Sequence, residues 1–320
     1  MTFLQEAFRN LHPLLQFTFI LCIALVGMSV SVFISTFVNA CLCDTPLDVA
    51  EYTKVLSTAS TDAGVCGNLV MNSINQILAF MGAGFVYSKL VGGVGVGLKP
   101  KGAQAGFIRF LLGAIAITLA FAPFLDITYR LNEWILRGTS FHTYASGLEA
   151  QAMVLTKAML DIGSLGELTA CLIAVAVLPA IAEEYLFRGA LQPLFAKWSG
   201  SIHVGVWCSA IVFSAIHMQF FGFIPRMLLG AGFGYLVVAS GNLWVAVGAH
   251  FINNASAVIA AWYFGAEWLE TGLEPSSEPW GIEQVVMTCL FGLFIILIAR
   301  RLRGHSVWKE NESNYLGLGQ

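Results

Sequence analysis

The clearest shortage in this 320-residue sequence is charge: Asp, Glu, Lys and Arg together make up 11% of it. Soluble globular domains carry about 25%. A chain that is 57% hydrophobic, with 24 Phe and 32 Gly, holds more apolar side chain than one soluble core can bury. Lipid is the solvent that fits. The net charge of −3 is not the basic excess of a nucleic-acid-binding surface, so no nucleic-acid partner is expected. A paired C-x-x-C framework is missing, which excludes a zinc ribbon. Of the seven Cys, Cys22, Cys171, Cys208 and Cys289 lie in apolar runs, where Cys acts as a small hydrophobe. Cys41, Cys43 and Cys66 fall in a polar loop able to hold a disulfide if it faces an oxidising space. The Gly92–Gly97 run has no G-K-[ST] ending and no strand before it, so it reads as a juxtamembrane turn and not a phosphate loop.

What the chain does have is long apolar runs. A bilayer core about 30 Å thick needs roughly 20 apolar residues per helix. Eight stretches meet or approach that: Leu14–Phe37, Leu69–Val91, Phe107–Ile127, Leu168–Phe187, Val204–Phe221, Ile224–Ala239, Leu243–Phe264 and Ile282–Ala299. The expected fold is an all-α polytopic transmembrane bundle of about eight spans. The first stretch is too long for a signal-peptide apolar region and reads as a retained span. Three regions are expected: N-terminal helices and loops over 1–165, a helical core over 166–265, and a last span with a basic tail over 266–320. The connection from Thr128 to Glu167 mixes apolar and charged residues and accommodates an interfacial helix. Ser164 with Glu167 reads as a capping box opening the fourth span. Gly230 and Gly234 share a helix face and read as a close-packing surface.

Loop charge gives the orientation. The first loop carries Asp44, Asp48, Glu51 and Asp62 against Lys54, and the loop after span seven carries Glu267, Glu270, Glu274 and Glu278. Lys89, Lys99 and Lys101 follow span two, Arg188 and Lys197 follow span four, and Arg300, Arg301 and Arg303 follow span eight. With eight spans, the positive-inside rule puts both termini and every basic loop in the cytoplasm.

Ionisable groups at membrane depth are costly and usually mark function. Few interrupt these spans: Glu183, Glu184, His217, Arg226 and His250, with the amide Asn254. Glu184 and Arg188 are four apart and can pair on one helix face, as His250 and Asn254 share another. Phe213 lies one turn before His217. Folding spans four to seven back at the turns near Gly200, Gly222 and Gly241 brings all these polar groups to one level, if the helices are straight. Taken singly, each has a plainer reading. Either Glu can sit at the membrane boundary beside Arg188, and a lone His or Asn is often an interhelical hydrogen bond. Their coincidence at one depth is what favours a site. His12, His142, His203 and His305 lie outside the spans or at their ends and receive no role; Trp207, Trp244 and Trp262 read as lipid-facing or interface anchors.

Glu183-Glu184-x-x-x-Arg188, Phe213-x-x-x-His217 and His250-x-x-x-Asn254, in that order on successive helices, resemble the type II CAAX prenyl endopeptidase and bacteriocin-processing family of intramembrane proteases. The resemblance covers roughly residues 165–265. It implies peptide-bond hydrolysis in or at the edge of the bilayer, with a membrane protein or lipidated peptide as partner. Glu183 is the expected general base on water, with Glu184 paired to Arg188, although the two acids can exchange roles. The resemblance gives His217 the task of orienting water or passing its proton, and His250 and Asn254 that of stabilising the oxyanion. No cofactor is favoured. Zinc is possible, and Glu183, His217 and His250 would then be its ligands, but there is no H-E-x-x-H motif. A non-hydrolytic scaffold or immunity protein on the same fold is the main alternative, and a proton-coupled carrier a more distant one, since no repeat of these segments occurs in the first half.

Overall fold

The computed structural model describes residues 2–43, 45–58, 62–91, 107–267 and 286, and among them there are helices and no strands. In chain order they are α1 (Phe3–Arg9), α2 (Pro13–Leu42), α3 (Val49–Thr58), α4 (Ala63–Val91), α5 (Phe107–Leu136), α6 (Phe141–Met159), α7 (Leu165–Ser199), α8 (Ile202–Ala215), α9 (Phe223–Ser240) and α10 (Leu243–Phe264). Five of them, α2, α4, α7, α9 and α10, are long and apolar enough to cross a membrane. They correspond to the first, second, fourth, sixth and seventh expected stretches. The fifth is represented by the shorter apolar helix α8. The third is the first two-thirds of α5, a helix of 30 residues. The eighth, together with the Gly92–Gly97 run and the basic tail, lies outside the described residues. The connection after Thr128 is not a loop: α5 runs on to Leu136, and α6 fills most of the stretch between there and α7.

Side-chain burial on α2 is inverted relative to a soluble protein. Ser31, Ser35 and Asn39 are fully buried, while Val26, Phe33 and Phe37 are more than half exposed. Such an apolar outer face is unstable in water and stable in hydrocarbon. The inward hydroxyls answer the low dielectric by bonding their own helix: Ser31 donates to Gly27 O at 2.7 Å and Ser35 to Ser31 O at 2.6 Å. Trp207, Trp244 and Trp262 are all exposed, as anchors at a lipid surface are. This is an integral membrane protein.

The described residues fall into two compact units. One draws on the described residues of 1–94, 151–191 and 250–269, the other on those of 95–150, 192–249 and 270–320. In the first, α2 packs along α4, and α4 packs along α7. The α4–α7 approach is close enough that a Cβ at Gly84 would stand 2.9 Å from the Tyr185 ring. Ser88 and Tyr185 hydroxyls meet one turn further on, at 3.1 Å. Cys43 and Cys66 form a disulfide that closes the polar segment after α2, and Cys41 is a free thiol on α2. Asn39 donates to the Tyr52 hydroxyl and to Gly67 O in the same region.

Helix α7 is the element that carries the chemistry. Its N-cap is Ser164, whose hydroxyl accepts from Glu167 N. The reciprocal half of the expected box is displaced by one residue, since the Glu167 carboxylate takes the Gly163 N–H at 2.7 Å. The helix widens to π spacing at Leu172–Val177, for which Pro179 supplies a cause. It has no N–H, so the carbonyl at 175 (α spacing) or 174 (π spacing) loses its donor. Both carbonyls are rescued by side-chain amides of other helices. Asn72 Nδ2 donates to Ala174 O at 2.8 Å, and Asn254 Nδ2 to Val175 O at 3.1 Å. One expectation is corrected here: Arg188 is not in a loop. The helix continues to Ser199, Arg188 is fully buried in it, and Lys197 alone of that pair is exposed.

In the second unit, the last turns of α7 fold back on α8 through Gly200, which takes φ +67°. Helix α9 packs on α8, and a Cβ at Gly234 would stand 2.6 Å from Gln192 Oε1, so this glycine does serve close packing. The segment after α8 is tied down by Asn132, whose amide donates to Phe220 O and to Phe221 O. It is also held by Arg226, which donates to Gln219 Oε1 at 2.6 Å.

Candidate active site

Consecutive residues on a helix diverge by about 100°, and Glu183 and Glu184 use that divergence to face different partners. Both are buried. Glu184 Oε1 accepts from Arg188 Nη1 at 2.7 Å, one turn along α7. The same oxygen receives His250 Nδ1 from α10 at 2.9 Å. Glu184, Arg188 and His250 are each at least 95% hidden from solvent. Removing an ion pair from water costs several kcal/mol per ion and is tolerated only with good geometry and further hydrogen bonds. The third partner, His250, meets part of that demand.

The contact also fixes the imidazole. A carboxylate oxygen accepts, so the hydrogen of neutral His250 sits on Nδ1 and Nε2 carries the lone pair. Nε2 faces Glu183 Oε2 at 3.9 Å. That is too long for a direct hydrogen bond. A water about 2.8 Å from both atoms would subtend an angle of about 90°, which is narrow but accessible. The other Glu183 oxygen, Oε1, accepts from Gln76 Nε2 of α4 at 2.9 Å. Among the described residues two buried acceptor oxygens in this group have no hydrogen-bond partner: Glu184 Oε2 and Gln76 Oε1.

The structure therefore brings Glu183, Glu184, Arg188 and His250 together within the first unit. Asn254, expected beside His250 as an oxyanion donor, has one N–H committed to Val175 O, and its Oδ1 accepts from Asn253 at 3.2 Å. His217 and Phe213 belong to the second unit. His217 lies two residues beyond the end of α8, where Met218 takes φ +54°. Its Nδ1 is 2.8 Å from Phe213 O, and its ring meets the Phe213 ring edge-on with centroids 5.2 Å apart. A carbonyl only accepts, so His217 is also an Nδ1–H imidazole with a basic Nε2. Phe213 thus serves His217 twice, through its backbone carbonyl and its ring.

Sequence reasoning missed Gln76 and Asn72. The signal was there: both amides interrupt an apolar span and sit four residues apart, on one helix face. Zinc requires three protein ligands beside an open position. In the first unit Glu184 Oε1 is engaged by Arg188 and His250, which leaves Glu183 Oε2 and His250 Nε2 as facing donors. Among the described residues no group of three or more His, Cys, Asp or Glu is arranged to hold a metal ion.

Comparison with known proteins finds a family match over part of the chain. Residues 165–256 match the family described as "Type II CAAX prenyl endopeptidase Rce1-like". The "Uncharacterized protein YpbD" of Bacillus subtilis (strain 168) is 34% identical over 88 residues, which is 26% of this chain and 42% of that protein. The alignment thus spans less than half the length of this relative. No solved structure matches.

Proposed function

Since the chain belongs, through residues 165–256, to the Rce1-like family of type II CAAX prenyl endopeptidases, we propose that it is an intramembrane endopeptidase in which Glu183 activates water against a peptide bond. The substrate is a membrane-associated chain, with a prenylated C-terminal peptide as the first class to test. The observation that carries this reading is the directed pair Glu184–His250, which turns His250 Nε2 toward Glu183 Oε2 in a buried setting.

In the proposed sequence Glu183 Oε2 takes a proton from water as its oxygen bonds to the scissile carbonyl carbon. The carbonyl π electrons move to oxygen, giving a tetrahedral oxyanion. The proton passes across to His250 Nε2, and the resulting imidazolium is stabilised by the Glu184 carboxylate, as a buried acid stabilises histidine in hydrolytic triads. As the oxyanion collapses back to a carbonyl, the C–N bond breaks and its electron pair takes this proton from His250 Nε2, releasing the amine and leaving the new carboxyl group. The second N–H of Asn254 is assigned to the oxyanion. For His217, whose Nδ1 is engaged by Phe213 O, we keep the role that the family resemblance implies, orienting water. No step calls on a metal.

The test uses the full chain in liposomes with an internally quenched farnesylated peptide ending in Cys-aliphatic-aliphatic-X. Cleavage should be lost in Glu183→Gln and should survive a membrane-permeant chelator. Full activity in Glu183→Gln would overturn the hydrolase reading in favour of a scaffold. Loss with chelator and recovery with zinc would replace the metal-free route. If this peptide is not cut, comparing membrane-protein termini in cells carrying wild-type or Glu183→Gln protein finds the substrate, and identical termini again favour the scaffold.

A further inference from the structure

We propose that Gln76, which lies outside the family-matched segment, is a positioning residue for the Glu183 carboxylate. The inference rests on the reading of Glu183 as the base. Among the described residues, the hydrogen bond that Glu183 accepts comes from Gln76 Nε2, at 2.9 Å. A carboxylate turns readily about its last side-chain bond, so an unheld Glu183 would present either oxygen to His250. Pinning Oε1 to Gln76 leaves Oε2 as the oxygen facing His250 Nε2.

Several contacts hold Gln76 in place. It opens the π segment Gln76–Met81 in α4 and is 5% exposed. One turn earlier Asn72 is bonded to Ala174 O of α7, and further along Gly84 and Ser88 meet Tyr185. These contacts advance in the same direction along both helices, so α4 lies as a splint against the stretch of α7 that contains Glu183.

The other half of the amide argues against simple helix glue. Gln76 Oε1 is buried without a hydrogen-bond partner among the described residues. An orphaned buried acceptor destabilises a fold, and a leucine of similar size would pack α4 on α7 without it. A glutamine here has a rationale if Oε1 accepts a hydrogen bond during turnover. The donor we assign is the second O–H of the water that Glu183 deprotonates. Gln76 then grips base and nucleophile with one planar group.

The test compares wild-type protein with Gln76→Leu and Gln76→Met in liposomes, using the same farnesylated peptide, and reads kcat and KM separately. Misplacing a reacting group by about 1 Å costs roughly 100-fold in rate, so kcat should fall by about 10- to 100-fold with KM unchanged. The thermal midpoint should hold or rise, because the orphan is gone. A merely structural Gln76 predicts the reverse, a lower midpoint and unchanged kcat per folded molecule, and that result would overturn the proposal.

A second readout does not need activity. In protein carrying carbon-13-labelled glutamate, the carboxyl stretching band lost in Glu183→Gln identifies Glu183. This band should move in Gln76→Leu and Gln76→Met. A band that stays put shows that Gln76 does not hold Glu183, whatever the activity assay gives. A shifted band in a protein that cleaves nothing upholds the contact and sinks the hydrolase reading instead. If one variant fails to fold, the other decides.

Discussion

A single oxygen of Glu184, Oε1, receives both the Arg188 guanidinium and Nδ1 of His250, so the orientation of the His250 imidazole and the burial of a guanidinium depend on one atom. The two neighbouring acids should therefore fail differently. Glu184→Ala leaves a fully buried Arg188 without its carboxylate, a loss of about 3–5 kcal/mol. It should lower the thermal midpoint sharply and abolish activity through instability. Glu183→Gln keeps the Gln76 contact as an amide pair and should leave the midpoint within a few degrees of wild type while activity vanishes. Melting curves in detergent beside the peptide assay separate the two. Equal melting of both variants would mean that Glu184 does not carry the structural charge.

The proline kink of α7 makes a coupled prediction. Asn72 and Asn254 bond the carbonyls of Ala174 and Val175, the two that the missing N–H of Pro179 would otherwise serve at π or α spacing. Polar interhelical contacts in membranes are worth about 0.6 kcal/mol, with a maximum near 1.7, so Asn72→Leu and Asn254→Leu should each cost about 1 kcal/mol. In a Pro179→Ala background the helix recovers its N–H, and that cost should shrink. Additive losses in this double-mutant cycle would show that the amides serve something other than the kink.

The legible part of the molecule is set by where the information lies in the chain. Glu183, Glu184, Arg188 and His250 stand out because ionisable groups at membrane depth are rare, and the i, i+4 pairing of Glu184 with Arg188 comes from helix geometry alone. The spans are legible as apolar runs, to within a few residues for α2, α4, α9 and α10. Arg188 is misplaced into a loop when charge is taken as the sign of a span's end, whereas a charge neutralised one turn away can stay inside. The fifth stretch reads as one helix through His217, but apolar composition does not record the break at Ile216 and the left-handed Met218. Asn254 draws attention through its spacing from His250, while its bond to Val175 depends on Pro179 in a helix 79 residues away in sequence. Gln76 escapes because a neutral amide is a weak polar signal and its partner lies 107 residues on.

The disulfide makes a prediction about the face of the membrane on which α2 emerges. Cys43 and Cys66 are 23 residues apart, and closing a loop of that size stabilises by about 3 kcal/mol in the chain-entropy account. Stable disulfides belong to oxidising compartments, so the segment after α2 is expected on the non-cytoplasmic face. Cys43→Ser should lower the melting midpoint and leave Cys66 reactive. After mild reduction of intact cells, a membrane-impermeant thiol reagent added outside should label Cys43 and Cys66. Labelling that requires permeabilised cells would invert the topology.

Glu149, on α6 outside the spans, supplies a pH dependence. Burial raises its carboxyl above the ordinary value of 4.5, against the opposing influence of Arg226 and of a backbone hydrogen bond at Phe221. A folded-state value above the unfolded one means that the folded protein holds this proton more tightly. The group's stabilising contribution is full below about pH 4.5 and is lost as pH rises through the raised folded value. By neutral pH wild type has therefore lost some or all of the stability that this tightly held proton gives in acid, whereas Glu149→Gln keeps the shape and is neutral at every pH. The variant should melt higher than wild type at pH 7, and the gap should close as pH falls below about 4.5. A gap that widens in acid would mean that attraction to Arg226 outweighs desolvation, reversing the assignment of which force governs this corner of the second unit.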